Sequence, residues 1–152
     1  MEAKLIIQII LNLIYVGIFL SVSYYDLKER RVPNNIVFPA MGLGFIAMFF
    51  FPPGWGSGLL GALIGGGIML LPVVAFGKKG GMGDVKLAMF MGLIIGSSDI
   101  FTALLVAHVA AAFLFIGMLF KWLQRDSLIP FAPFLSFGAL WVMFVPNLLE
   151  RL

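Results

Sequence analysis

Residues 5–25 read LIIQIILNLIYVGIFLSVSYY, an apolar run whose strongly polar members are Gln8 and Asn12. A helix needs about 20 mainly apolar residues to cross a bilayer, and this run is long enough. It is too long for the core of a signal peptide, no basic cluster precedes it, and no small-residue cleavage site follows it. We therefore predict that the run is a retained transmembrane helix.

The composition extends this interpretation to the whole chain. Of its 152 residues, 62% are apolar and only 11% are charged, and the mean hydropathy is +1.10. A soluble domain needs roughly a quarter of its residues to be charged in order to cover its surface. Disordered chains show the opposite combination, low hydrophobicity and high charge. We expect an all-α, polytopic membrane protein that forms a single domain, residues 1–152.

Charge and cysteine content narrow the classes of function. The net charge of +3 is better explained by orientation in a lipid bilayer than by nucleic acid, so we expect no nucleic-acid partner. The lack of cysteine excludes a disulfide framework, a thiolate zinc site and a cysteine nucleophile. Because the chain has a single histidine, metal chemistry would have to rest on carboxylates.

Five more apolar blocks follow the first, so that six transmembrane helices are predicted. The later blocks are residues 36–51, 57–76, 87–98, 100–120 and 131–149. The fourth block is short, about 18 Å at the helical rise, and it can span only if its helix begins near Asp84. The third block carries a stripe of glycines that predicts close packing against a neighbouring helix. These glycines are Gly61, Gly65, Gly66 and Gly67.

The basic residues test this count, because Lys and Arg favour the cytoplasmic side of a membrane. Six alternating spans put eight of the ten basic residues on one side and leave Lys4 and Arg151 on the other. The eight are Lys28, Arg30, Arg31, Lys78, Lys79, Lys86, Lys121 and Arg125. We therefore predict that both termini face outward (N-out/C-out) and that the three basic loops are cytoplasmic.

Two acidic residues have no simple explanation. Asp26 follows the first apolar run and Asp84 precedes the fourth block, so the six-span topology puts both at the cytoplasmic membrane face. An ionisable group there is costly unless it has a partner or a function. One explanation is structural: an ion pair between Asp26 and Arg30, and a helix N-cap at Asp84. The positions of Asp26 and Asp84 alone do not decide between this structural explanation and a functional one.

The functional explanation is that the two carboxyl groups share a proton. Like charges at close range do not both ionise readily, so one group stays protonated while the other acts as a base. One Asp then draws a proton from water and the other protonates the substrate carbonyl, which is aspartic protease chemistry and needs neither metal nor cofactor. Glycines before Asp84 would let a substrate backbone approach. We expect segment 77–86 to be flexible, so that the aspartates come together when substrate binds.

Three motifs resemble those of the type IV prepilin peptidase family, over about residues 15–140. The run DLKERRVPN (26–34) resembles the family's first aspartate motif, and GMGDVKL (81–87) is similar to its Gly-x-Gly-Asp motif with a following lysine. The run IPFAPFL (129–135) is similar to the proline-rich stretch that enters the family's last helix, with Ala132 where the family commonly has glycine. A lone Gly-x-Gly-Asp is weak, whereas three motifs in order are specific.

The resemblance implies a membrane aspartic endopeptidase that removes short basic leader peptides from prepilin-like proteins, at the cytoplasmic face of a prokaryotic inner membrane. It implies that Asp26 and Asp84 are the catalytic pair and that Gly81, Gly83 and Lys86 belong to a substrate-binding or loop segment beside them. Larger family members add an N-terminal methyltransferase region with paired zinc-binding cysteines. This chain has no cysteine, so the expectation is cleavage without N-methylation, as in the short pilus-assembly and archaeal preflagellin branches.

Other functions stay open. A presenilin-like intramembrane protease also uses Gly-x-Gly-Asp together with a Tyr-Asp pair, which Tyr25 and Asp26 match, although such chains are much longer. A small transporter or proton channel could use the two carboxylates as a relay, and a non-catalytic assembly subunit could keep the fold. His108, in the fifth block, is explained by a hydrogen bond between helices, and Lys86 by anchoring at the lipid headgroups.

Overall fold

The structure is a computed structural model that describes residues 2–76, 81–119 and 130–149. Within these ranges every regular element is an α-helix, so the all-α prediction is confirmed. The helices are α1 (Glu2–Glu29), α2 (Asn34–Ala47), α3 (Trp55–Phe76), α4 (Met82–Leu119) and α5 (Ala132–Leu149). Five of the ten basic residues used to predict the topology lie outside the described ranges: Lys78, Lys79, Lys121, Arg125 and Arg151.

The breaks between the first three helices have local causes. Arg30 takes a left-handed conformation, φ 54°, directly after α1, and Pro33 precedes α2. Residues 52–54 are Pro-Pro-Gly, and the glycine has φ 85°, a conformation that favours a residue without a side chain. The second predicted block, 36–51, is longer than its helix, because α2 ends at Ala47 and turns follow it.

Helix α4 contains both the fourth and the fifth predicted blocks, and it reverses direction at Gly96. This residue has φ 83° and ψ 178°, which interrupt the helix. In a straight helix Ala88 and Ile100 would lie about 18 Å apart. Yet Ala88 O and Ile100 Cδ1 lie 2.6 and 3.1 Å from the point where a side chain at Gly65 would begin. Both halves of α4 therefore pack on α3. The described residues form five helices where six blocks are predicted, because the fourth and fifth blocks are joined directly at Gly96.

Helix α3 holds this reversal through a serine. The hydroxyl of Ser57 accepts a hydrogen bond from the backbone N–H of Ser97 at 3.0 Å. The hydroxyl groups of Ser57 and Ser97 lie 3.2 Å apart. Ser97 is the first residue after Gly96, so its N–H belongs to the start of the second half of α4. A free N–H at a helix start needs such an acceptor.

The glycine stripe on α3 packs directly on α4, as predicted. A side chain at Gly61 would begin 2.5 Å from Gly92 O, and one at Gly92 would overlap the backbone of Gly61. Gly65 meets Ala88 in the same way, whereas no atom lies within 4 Å of the corresponding point at Gly67. The missing side chains let the two backbones touch, which larger residues would prevent.

The first half of α4 lies at the centre of the bundle, between α1, α2 and α3. The buried ring of Phe90 meets the rings of Tyr15 and Phe19 on α1 at centroid distances of 5.8 and 5.4 Å. Helix α5 packs on the second half of α4, where Gly138 lies against the backbone of Ala103. This packing brings the end of α1 and the starts of α2, α4 and α5 to one end of the bundle.

Three of the described helices are long and apolar enough to cross a membrane. They are Glu2–Glu29, Trp55–Ala75 and Met82–Gly117, and two shorter apolar helices, Asn34–Ala47 and Ala132–Val145, accompany them. Large apolar side chains face outward on these helices, among them Leu63 and Phe113, which are 68% and 72% exposed. Such a surface fits a membrane protein, because lipid and not water can cover it.

Candidate active site

One end of the helix bundle carries a cavity of about 380 Å³ whose lining includes charged side chains. It lies where α1 ends and where α2, α4 and α5 begin, and the first and last of these helices are far apart in the sequence. All the residues that the sequence predicts for the site line this cavity. They are Asp26, Asp84, Gly81, Gly83 and Lys86, and they are joined there by Val32, Asn34 and Phe131.

Asp26 stands in the last turns of α1 and is almost fully buried, with 6% of its surface exposed. Its Oδ2 accepts a hydrogen bond of 3.0 Å from the backbone N–H of Ala132. Ala132 is the first residue of α5, and the first N–H groups of a helix have no partner within that helix. The carboxylate therefore caps α5 from another helix, and this bond fixes where one of its oxygens points.

The ion pair predicted between Asp26 and Arg30 does not form among the described residues. Arg30 instead donates its backbone N–H to the backbone oxygen of Asp26 at 2.9 Å and turns the chain with its positive φ. The ion pair near this position joins Arg31 to Glu29 at 2.6 Å. The predicted ion pair between Asp26 and Arg30 is thus wrong, because the Asp26 carboxylate points inward and binds the first N–H of α5.

Asp84 is the third residue of α4 and not its N-cap, because the helix begins at Met82. The start agrees with the prediction that this helix begins near Asp84. The backbone N–H of Asp84 donates a hydrogen bond to Gly81 O at 3.0 Å, within the first turn of the helix. A carboxylate in the first turn is stabilised by the helix dipole, so that part of the structural explanation stays valid.

Segment 77–86, predicted to be flexible, is only partly described. Residues 77–80 lie outside the described ranges, and residues 82–86 form the first turns of α4. The helix extends to Met82 because the backbone bonds from Asp84 and Val85 to Gly81 close its first turn. The described part of this segment is therefore regular.

The two aspartates line the same cavity. Asp26 comes from the end of α1 and Asp84 from the start of α4, and antiparallel packing of these helices around Phe90 puts the two ends together. Two carboxyl groups in one half-enclosed cavity can divide the roles of proton donor and proton acceptor. That these two aspartates act as an acid–base pair stays a prediction.

The glycines before Asp84 make room for this chain's own atoms. A side chain at Gly81 would begin 2.5 Å from Asp84 Oδ2, and one at Gly83 would begin 2.7 Å from Val32 Cβ. Contacts this short force a neighbour to move. The two glycines thus allow the Asp84 carboxylate to fold back over the start of α4 and allow that start to lie on the loop after α1.

Lys86 has a partner that the sequence does not point to. Its ammonium donates to Asn34 Oδ1 at 2.9 Å and lies 5.1 Å from the centre of the Phe38 ring. Both partners stand on α2, so this contact joins the starts of α2 and α4. Asn34 and Val32 both belong to the 26–34 motif and Ala132 belongs to the 129–135 motif, but nothing in either motif indicates which contacts these residues make.

His108 has a local explanation that differs from the predicted one. Its Nδ1 lies 2.7 Å from Leu104 O, one turn earlier in the same helix, so the hydrogen bond is within α4 and not between helices. The ring also packs on Phe131 at 5.2 Å. Within the described ranges, no three His, Cys, Asp or Glu side chains come together in a way that could hold a metal ion.

Comparison with known proteins finds similarity over the part of the chain that contains Asp26 and Asp84. The sequence model described as the type IV leader peptidase family matches residues 13–116, which include both aspartates. A prepilin leader peptidase/N-methyltransferase of Bacillus subtilis (strain 168) is 30% identical over 135 residues, covering 84% of this chain and 52% of the relative.

A second relative carries the same name. It is the prepilin leader peptidase/N-methyltransferase of Xanthomonas campestris pv. campestris, 31% identical over 132 residues, which cover 82% of this chain and 45% of that protein. The chain thus spans about half the length of the curated relatives that it matches. No solved structure matches it.

Proposed function

Because the chain belongs to the type IV leader peptidase family, we propose that it is a membrane aspartic endopeptidase acting on prepilin-like proteins. In this proposal it cleaves a short basic leader peptide just before the hydrophobic helix of its substrate. The observation that carries the proposal is the cavity at one end of the bundle, which Asp26 and Asp84 both line.

The proposed reaction is hydrolysis of one peptide bond by Asp26 and Asp84. One aspartate, ionised, takes a proton from a water molecule, whose oxygen attacks the scissile carbonyl carbon. The other, protonated, gives its proton to the carbonyl oxygen. The tetrahedral intermediate then collapses and the C–N bond breaks. The leaving amine takes up a proton from the first aspartate, and the second aspartate takes back a proton from one of the two hydroxyl groups, which leaves the carboxylic acid product. Gly81, just before α4, and Gly83 and Lys86, in its first turns, are proposed to place Asp84 beside the substrate.

We propose that the chain crosses the inner membrane of a prokaryote six times, with both termini outside and the cavity facing the cytoplasm. The reversal at Gly96 supports this count, since it lets each half of α4 cross separately. Four of the five basic residues in the described ranges support the orientation, and the fifth, Lys4, stands at the opposite end of α1. Arg30, Arg31 and Lys86 line the cavity, and Lys28 stands in the last turn of α1 beside it.

A cleavage assay tests the proposed function. The purified protein, in liposomes, is incubated with a prepilin-like peptide that has a short basic leader followed by an apolar helix. The expected result is one new N-terminus at the leader boundary, identified by mass spectrometry. An uncleaved peptide, together with proton or solute flux through the same liposomes, would favour the alternative of a transporter or proton relay that uses the same two aspartates.

Ala132→Pro is expected to lower the cleavage rate about tenfold. Proline is well tolerated at the first position of a helix, but it removes the N–H that donates to Asp26. A hydrogen bond to a charged group contributes about 1.5–3 kcal/mol, enough for this loss. The measurement is kcat in liposomes, with the melting temperature as a check on folding.

Ala132→Gly is the matched control for this prediction. It keeps the backbone N–H and removes one methyl group, so its cleavage rate is expected to stay within about threefold of that of the unsubstituted protein. Equal activity of the proline and glycine variants would show that the bond from Ala132 to Asp26 does not contribute to catalysis.

A further inference from the structure

We propose that Lys86 and Asn34 form a clamp that positions Asp84, and that Lys86 acts through this clamp and not by contacting substrate. The inference rests on the proposed function, which it deepens by assigning Lys86 and Asn34 as positioning residues. It also assigns a role to the loop 30–33, whose contacts with α4 decide where the second aspartate stands.

The clamp joins the first turns of two helices. Asn34 is the first residue of α2, and its Oδ1 accepts a hydrogen bond from Lys86 Nζ at 2.9 Å. Phe38, one turn further along α2, presents its ring 5.1 Å from the same ammonium. A cation over an aromatic face is attracted by the ring. The ammonium thus has two partners on α2, and they are neighbours on one face of that helix.

A second contact holds the same turn of α4. Gly83 lies on Val32, so closely that a side chain there would begin 2.7 Å from Val32 Cβ and 2.9 Å from its Cγ2. Gly83 precedes Asp84 and Lys86 follows it by two positions, so the two contacts flank the aspartate on both sides. The turn that carries Asp84 is therefore seated on residues 32–34.

Residues 32–34 are in turn held near Asp26 by the short loop after α1. Arg30, with φ 54°, donates its backbone N–H to Asp26 O at 2.9 Å, which closes the last turn of α1. Pro33 restricts the backbone just before α2. Only this short loop separates Asp26 from the residues on which Asp84 rests, so the loop sets the spacing of the two carboxylates.

The partner of Lys86 is a neutral amide, which distinguishes positioning from charge compensation. Its hydrogen bond goes to Asn34 and its ring contact to Phe38, and the ion pairs of the described residues do not include one between Lys86 and Asp84. A lysine that served to balance Asp84 would point its ammonium at the carboxylate. Here the side chain runs across to the neighbouring helix.

A double-mutant cycle on the full chain tests the clamp with the prepilin-like peptide as substrate. Lys86→Met and Asn34→Leu are each expected to lower kcat about tenfold with KM nearly unchanged, because a displaced catalytic group loses rate more than binding. The combined variant is expected to be no slower than either single variant. Lys86→Arg, which can still donate to Asn34, is expected to recover most of the rate.

Asn35→Leu is the matched control, because Asn35 is the adjacent exposed asparagine and makes no hydrogen bond with Lys86. It is expected to leave kcat unchanged. Losses that multiply in the combined variant would overturn the clamp, as would a raised KM with unchanged kcat in Lys86→Met, since that pattern identifies a substrate contact. Asn34 is exposed, so its variant remains available if Lys86→Met fails to fold.

A distance measurement separates the clamp from the proposed function. The chain has no cysteine, so a spin label reacts only with cysteines that are introduced. The labelled variant carries Leu27→Cys and Met82→Cys, because Leu27 and Met82 are 62% and 50% exposed. Lys86→Met and Asn34→Leu are expected to broaden the label-to-label distances, and Lys86→Arg and Asn35→Leu to preserve them. Unchanged distances in Lys86→Met would overturn the clamp, even if the unsubstituted protein cleaves no substrate.

Discussion

Asp26→Asn and Asp84→Asn are each expected to lower the rate of leader cleavage by about 10³-fold or more, to the limit of detection, while the protein stays folded. Asparagine keeps the size and shape of the side chain but can neither take a proton from water nor give one to a carbonyl. In the Asp26→Asn protein the amide oxygen can still accept the hydrogen bond from the Ala132 N–H, so the bond that ties this side chain to α5 survives the change.

The two aspartates are proposed to work as one unit, which makes a further outcome predictable. The double substitution is expected to be no slower than either single one, because removing one member of a proton-sharing pair already removes the mechanism. Initial rates of product formation, measured by mass spectrometry with the prepilin-like peptide, give all three values. Cleavage that continues in either single variant would contradict the proposed pair.

Asp99→Asn is the matched control for these variants. Asp99 is exposed and lies just after the reversal at Gly96, at the opposite end of the bundle from the cavity, where it lines a different pocket with Ser57 and Pro53. The same chemical change is therefore made away from the site. Its rate is expected to equal that of the unsubstituted protein.

Gly92→Ala is expected to have the largest effect on folding. The added methyl group would overlap the backbone carbonyl of Gly61 and the nitrogen of Ala62, neither of which can move aside as a flexible side chain can. Overpacking typically costs about 1–3 kcal/mol, and a clash with backbone on both helices belongs at the upper end or beyond. We expect loss of the monodisperse protein on size exclusion and a lower melting temperature in detergent.

Gly67→Ala is the control for this prediction, since the same stripe of α3 carries Gly67 but no atom lies within 4 Å of its side-chain position. Its melting temperature is expected to stay the same or to rise slightly, because alanine favours a helix more than glycine does. A Gly92→Ala protein as stable as the Gly67→Ala protein would show that the contact between α3 and α4 is looser than the structure has it.

Much of the fold can be predicted from the sequence because bilayer-length apolar runs and breakers act locally. The predicted blocks 57–76 and 131–149 nearly coincide with α3 and α5. The reversal within α4 is harder to place, and the predicted break falls near Asp99 where the structure has it at Gly96. The chain contains 18 glycines, and Gly96 differs from them through contacts with residues distant in the sequence, such as the hydrogen bond from the Ser97 N–H to Ser57, which the local sequence does not show.

The candidate site also has features that can be predicted from the sequence and features that cannot. Its two aspartates and the glycines beside Asp84 can be predicted because they occur in motifs within single segments. The donor to Asp26 is a backbone N–H on α5, and a backbone group has no sequence identity to recognise. The partner of Lys86 likewise stands on another helix, and only tertiary packing makes it a neighbour.

The hydrogen bond from Ala132 to Asp26 limits how this protein can be divided into working fragments. The stretch that matches the family, residues 13–116, contains both aspartates but ends before α5 begins. A fragment with those boundaries would expose the Asp26 oxygen that α5 covers, and Phe19 O would lose the Ser136 hydroxyl as well. The last helix is therefore part of the smallest unit that can hold the cavity together, and a separately produced α5 is a natural partner for complementation of the shorter fragment.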